Sequence, residues 1–432
     1  MNKKKRVVEA LKNLVIVVLS VSALVLVADS RLMGHLSGAE IRHEEHVESD
    51  PHVDTIRGQV TLPLGLAVVN REGCYGVQYS KAQVSALFEQ MSPMLAEALS
   101  GAGQPRPGTR EQWQQLLTTG PGLWLDLQGQ VPLSVLAKWM TGEENAALSA
   151  CVEHLLLCVN EERQVCLYYQ DTADGRFYVC DVALVSASYL TNALEQVADN
   201  GARFAVQVPG LEALQPEMLI SAQTPRPGEY VWTEPLHTDG QERMNILLEQ
   251  LSFPVEITTV YDTPEGKRAR SGNDTLTISG RGEVSYESTR EEGRYPVDLG
   301  EGDNAEFGAV DAARSLVCSV LEQWSGAGGL YLSKVERPEE DCWRVEFRYE
   351  LDGVPALVGS KGYAASVLVE QGYITQYELQ LRTFAPLASQ TTPVLPLRQA
   401  AAVMAGRKEK EGQLRLCYQE SGDTLRAGWV VE

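Results

Sequence analysis

The feature that most constrains this chain stands at its start. Residues 14–28 form a run of fifteen without a charge, in which only Ser20 and Ser22 are polar. The run follows Lys3, Lys4, Lys5, Arg6 and Lys12, opposed only by Glu9. A helix needs about 20 apolar residues to span the hydrocarbon layer. Val7, Val8 and Leu11 extend the run inward while Lys12 snorkels, and Leu32 and Met33 extend it outward. A transmembrane helix over 13–29 is therefore expected, anchored by Leu14, Ile16, Val18, Leu19, Val21, Leu24 and Leu26. Ser20, Ser22 and Ala23 are of the small or hydroxylated types that let a second helix approach closely, although an inert anchor accommodates them as well. The basic tail, 1–12, places the N-terminus in the cytoplasm and the body outside. A cleaved signal peptide has the same layout. Its best cleavage site follows Ala28, but Leu26 stands where a smaller residue is usual, so a retained anchor is the preferred reading. No cysteine follows the run, which argues against a lipoprotein anchor.

The net charge is −21 despite the basic tail, so the body is strongly acidic. It repels phosphate polymers, which excludes nucleic acid as an expected partner. Hydrophobic residues make up 44%, enough to build a packed core. The eight cysteines form no CxxC pair and no zinc-finger spacing. Most have apolar neighbours and read as small buried hydrophobes. Disulfides are permitted outside the cytoplasm, and one between Cys166 and Cys180, across a hairpin, stays open.

Behind the anchor, 30–55 is a polar, acidic stalk without hydrophobic period. The body divides at Pro/Gly-rich and charged stretches into 56–238, 239–305 and 306–432. In the first part Val84, Leu87, Met91 and Leu95 recur at helical spacing, with Pro93 placed to kink or split the helix. Thr109 and Gln112 make a capping box before Trp113, Leu116 and Leu117, and Gly120-Pro121-Gly122 stops that helix. A strand over 123–127, a helix over 133–140, a hairpin of 165–169 with 176–182, and a helix over 190–198 follow. The Pro225–Gly240 stretch reads as a boundary. Beyond it the order helix, then antiparallel strands, begins near 241, 308 and 396. Val255, Ile257 and Thr259 alternate as a strand, and 288–306 reads as a linker. Trp343, Val345, Phe347, Tyr349 and Leu351 alternate strictly, the mark of a strand with one buried face. The fold class is α+β: one N-terminal transmembrane helix, then antiparallel sheets with packed helices and helix-then-hairpin units toward the C-terminus.

Catalytic chemistry is sought without success. His35, His43, His46 and His52 lie in the stalk, and His154 and His237 stand alone. His43-Glu44-Glu45-His46 is not HExxH. Ser134 and Lys138 are one residue too far apart for SxxK, and neither a GxSxG elbow nor a P-loop occurs. No catalytic residue, cofactor or metal is assigned. A carboxylate pair for glycan cleavage is not singled out among the 58 acidic residues.

Three stretches carry a resemblance: 111–127, EQWQQLLTTGPGLWLDL, with Val131-Pro132-Leu133 after it; 248–254, LEQLSFP, with 274–286, DTLTISGRGEVSY; and 362–384, GYAASVLVEQGYITQYELQLRTF. With the anchor and acidic body, they resemble the YycH/YycI family of membrane-anchored regulators. That family is associated with WalK (YycG), a cell-wall-sensing histidine kinase of Gram-positive bacteria. The resemblance implies a single-pass, non-enzymatic regulator in the cell membrane. Its partners would be a sensor histidine kinase, a sister regulator of the same family, and the bilayer. Two rival functions stand beside it: an extracytoplasmic envelope or sporulation-type adaptor without a kinase, and an envelope hydrolase with an unrecognised site.

Overall fold

The computed structural model describes residues 62–236, 240–288, 293–300, 305–406 and 413–431. The tail, anchor and stalk, and with them Leu14, Ile16, Val18, Leu19, Ser20, Val21, Ser22, Ala23, Leu24 and Leu26, lie outside this set, as does His237. Among the described residues no helix is long and apolar enough to cross a membrane. The fold is mixed α+β and rich in sheet.

Seven helices are described: α1 (Lys81–Ser100), α2 (Arg110–Thr119), α3 (Leu133–Thr141), α4 (Ala187–Leu194), α5 (Gly240–Gln250), α6 (Ala305–Trp324) and α7 (Leu397–Gly406). Local chemistry accounts for their ends. Thr109 Oγ1 accepts from the Gln112 backbone N–H, and Gln112 Oε1 accepts from that of Thr109, both at 3.2 Å, closing the capping box of α2. Pro93 neither splits nor ends α1. Its ring removes the donor that would reach the Glu89 carbonyl, and the Ser92 hydroxyl supplies one instead, at 3.4 Å. α4 starts earlier than the apolar spacing suggests, because Ser186 caps it by accepting from Tyr189 N–H.

Strand pairing is almost wholly antiparallel. In the N-terminal part the order across the sheet is Gly73–Gln78, Gly65–Asn70, Gly122–Pro132, Cys151–Val159, Val165–Gln170, Phe177–Asp181 and Arg106–Pro107. A second run of strands is Thr259–Thr263, Gly266–Ser271, Asp274–Ser279, Glu283–Ser288, Tyr373–Gln380, Ala365–Glu370, Cys342–Leu351 and Gly329–Glu339. Its last strand touches the first sheet through Lys334 opposite Gln130. A branch from Val354–Leu357 runs through Leu414–Ser421, Thr424–Val431 and Gly228–Thr233 to Thr383–Thr391. The hairpins of the second run turn at Asp352-Gly353 (φ 49° and 80°) and Gln371-Gly372 (φ 50° and 79°). Two positive φ values in succession give the primed turn that suits strand twist.

The two sheets bury their faces differently. On the first, Leu155 and Leu157 enter the main core with α1, while Leu156 and Cys158 enter a second cluster with Trp113 and Leu117 of α2. On the second, one row across the strands is Ala269, Leu276, Tyr286, Tyr377, Val367, Val345 and Val335, all buried, with α6 packed on the sheet. The next row on the other face is Arg268, Thr277, Ser285, Glu378, Ser366, Glu346 and Lys334. Each fully buried aliphatic or aromatic side chain contributes roughly 1.5–3 kcal/mol, so this alternation determines which face carries the helices.

The structure differs from the sequence reading at three places and answers a question left open at a fourth. The Pro225–Gly240 stretch contains the strand Gly228–Thr233, which lies between two others. Residues 254–258 form a turn, with Ile257 N–H on the Pro254 carbonyl (3.2 Å), so the strand begins at Thr259. Within the supposed linker, Tyr295–Pro296 pairs with Ile374 and Tyr373. Cys166 sits opposite Asp181 and Cys180 opposite Leu167, which puts the two thiols on opposite faces and excludes a bridge between them. None of the eight cysteines forms a disulfide among the described residues.

Candidate functional site

A polar groove lies on the first sheet, and α2 is its wall. The capping box starts α2 at Thr109, and Trp113 and Leu117 pin the helix to the sheet while its Gln-rich side stays exposed. The opposite wall is the turn 160–164 between two strands, held by Asn160 Oδ1 accepting from Gln164 N–H at 2.8 Å. Two cavities of about 730 and 600 Å³ lie along it, both lined by Gln115, Leu116, Asn160 and Glu161. Gln115 Nε2 donates to Glu161 Oε1 at 2.9 Å, tying the helix to the turn where the cavities meet. Thr119, Thr191 and Asn192 line the larger cavity, Gln112 and Gln164 the smaller.

Ion pairs stand at both ends. Arg106 meets Asp181 at 2.8 Å, and its guanidinium holds the Asp181 carboxyl below the usual range. Arg71 faces Glu195 at 3.6 Å. Neutral amides and hydroxyls line the groove between these charged ends, and in the smaller cavity the Cys166 thiol donates to Asp181 Oδ1 at 3.7 Å. Cys166, on the floor, is pushed up to about 12 by burial, so its thiolate is scarce. Cys74, Cys151 and Cys318 are likewise raised to about 12, burial being the main cause.

Of the six histidines, His154 lies among the described residues. Its Nε2 lies 3.5 Å from Asp126 Oδ1, and its ring stacks on Trp124 at 5.4 Å. Gln128 Oε1 and Trp124 Nε1 are buried nearby without protein partners, around a cavity of about 40 Å³. Arg415 pairs with Glu153 and donates to the Gln128 carbonyl at 3.3 Å, so this cluster ties the C-terminal hairpin to the first sheet. Ser134 donates to Glu306 Oε2 at 3.2 Å and Lys138 to Glu144, so they serve different partners and make no nucleophile–base pair. Among the described residues no group of three or more His, Cys, Asp or Glu is placed to hold a metal.

The stretches that carried the family resemblance have structural work in this fold. Residues 111–127 form α2 and the strand beneath the groove. The other two meet across the second sheet, where Tyr286 lies opposite Tyr377 with rings stacked at 4.8 Å. Below them Asp274 accepts from Arg294 Nη2 (2.9 Å), Tyr286 (3.1 Å) and Ser288 (2.9 Å). The sequence reading missed Arg294, because the charged segment around it resembles a solvated loop.

Neither a family model nor a curated protein matches the chain. Among solved structures, the crystal structure of YycH from Bacillus subtilis is similar, with a TM-score of 0.54 and 12% identity, over 87% of this chain and 94% of that one. The fold is therefore YycH-like, and at that identity the likeness is one of fold.

Proposed function

We propose that the chain is a non-enzymatic regulator anchored by residues 13–29, whose body outside the cytoplasm modulates a cell-envelope-sensing histidine kinase. The observation that carries this reading is the YycH-like fold over 87% of the chain, which joins the sequence resemblance to the YycH/YycI regulators. Leu14, Ile16, Val18, Leu19, Val21, Leu24 and Leu26 hold the bilayer in this scheme, and Ser20, Ser22 and Ala23 contact helices of the kinase or of a sister regulator. Control is then a coupling free energy between the state of the body and the arrangement of those helices. Helix contacts worth about 0.6–2 kcal/mol each shift a two-state equilibrium several-fold.

The test replaces residues 14–28 with poly-leucine in the native host and reads a promoter that depends on the kinase. The swapped protein stays in carbonate-washed membranes, and promoter output changes several-fold. Deleting the whole gene changes it at least as much; an unchanged promoter after deletion would refute the reading. The amide-lined groove supports a second reading, an adaptor that binds an envelope component without a kinase. That reading predicts an unchanged promoter.

A further inference from the structure

The strand Thr259–Thr263 forms one edge of the second sheet. It pairs with Gly266–Ser271 on one side, and among the described residues no strand lies on the other. Sheet edges invite pairing, and proteins commonly guard them with lysine, proline or bulges. Residues 257–261, Ile-Thr-Thr-Val-Tyr, carry no charge and no proline. Ile257, Val260 and Tyr261 are 70%, 37% and 43% exposed, a concentration of large apolar side chains at one edge.

The register says what would cover it. Val260 lies opposite Ala269, so it extends the buried row of Ala269, Leu276, Tyr286 and Tyr377 to the rim, where that row ends uncovered. Thr259 and Tyr261 lie opposite Arg270 and Arg268 and share the other face with them. In this acidic chain neither arginine has an ion-pair partner among the described residues. Across the register the first carboxylate beyond Arg270 is Glu287, two strands away behind Thr275, and beyond Arg268 it is Glu378, three strands away. Asp262 and Lys267 pair with each other on the Val260 face, at 2.8 Å. An added strand thus meets an apolar row on one face and two uncompensated guanidiniums on the other.

We propose that this edge receives an extended segment of a partner protein in which apolar and acidic residues alternate. Backbone hydrogen bonds to the open edge would supply affinity. The apolar residues would continue the row beyond Val260, and the acidic ones would reach Arg268 and Arg270 past Tyr261. Such pairing does not depend on the regulatory role proposed above.

The test uses the full chain in detergent and two labelled, capped peptides of about seven residues, one alternating valine with glutamate, the other valine with lysine. The glutamate peptide binds about tenfold tighter than the lysine peptide, and raising the salt narrows the gap. Arg268→Glu with Arg270→Glu reverses the preference, and Tyr261→Lys weakens binding of the lysine peptide most. Equal affinity for the two peptides, or binding of neither, would overturn the proposal. So would self-association of the native chain that Tyr261→Lys abolishes, since the occupant would then be a second copy.

Discussion

The first sheet is wrapped on both faces, and the second on one. In the first, Leu155, Leu156, Leu157 and Cys158 are all fully buried, because α1 lies on one side and Trp113 of α2 on the other. Its outer cover leaves a groove of amides between helix and turn. In the second, apolar and polar residues alternate along each strand, and among the described residues no strand lies beyond Val260 at the end of the apolar row. A doubly covered sheet offers ligands only the gaps between its covering elements. A sheet with helices on one face offers the exposed part of its polar face and an edge. The two halves of this chain thus suit different kinds of contact.

The sharpest way to break this comparison is to truncate one residue on the outer side of each sheet, Trp113 of the covering helix α2 in the first and Thr277 of a strand in the second. Trp113→Ala removes a ring that is 2% exposed between Tyr168 and Phe177, and should cost about 4 kcal/mol in urea unfolding. Thr277→Ala, on the polar row of the second sheet, should cost less than about 0.5 kcal/mol. Equal costs would mean that the second sheet is also covered on its outer face. Next in size is Asp274→Ala, which leaves Arg294 without its buried counter-charge and should cost about 3 kcal/mol. A cost near zero would show that Arg294 swings to solvent.

The smallest effect concerns Glu306 on α6, which joins the two regions through Ser134 of α3. Burial raises its pKa above the usual value, partly offset by the Ser134 hydrogen bond. A carboxyl whose folded pKa is raised favours the fold while protonated, and that contribution disappears as the pH rises through the folded pKa. Glu306→Gln should therefore match the native protein near pH 4 and exceed it by less than about 1 kcal/mol at pH 7. A native protein that is the more stable of the two at pH 7 would reverse the sign.

Local rules made much of this legible. Thr109 and Gln112 announced α2, Gly120 its end, and the strict alternation from Trp343 to Leu351 a strand with one buried face. Alternation failed at Leu155-Leu156-Leu157, where a doubly buried strand looks like any apolar run, and the strand Cys151–Val159 went unread. The groove was illegible for a related reason. Gln115 and Glu161 are ordinary surface residues until α2 is laid beside the 160–164 turn. Cys166 and Cys180 were near enough in sequence to suggest a bridge, and a register offset of one residue put them on opposite faces.

By itself the sequence determined what depends on neighbours within a few residues: helix caps, turns with paired positive φ, the period of a half-buried strand, and the acidity of the body. Tertiary structure alone decided what depends on which strand lies beside which. It placed Tyr286 against Tyr377, brought Arg294 to Asp274, and left Thr259–Thr263 at the rim, with no ion-pair partner for Arg268 or Arg270 among the described residues. The physical reason is that a strand's side-chain period states which residues share a face but not what the face meets. That is decided when distant segments compete for the same apolar surface, and the competition has no signature within any one of them.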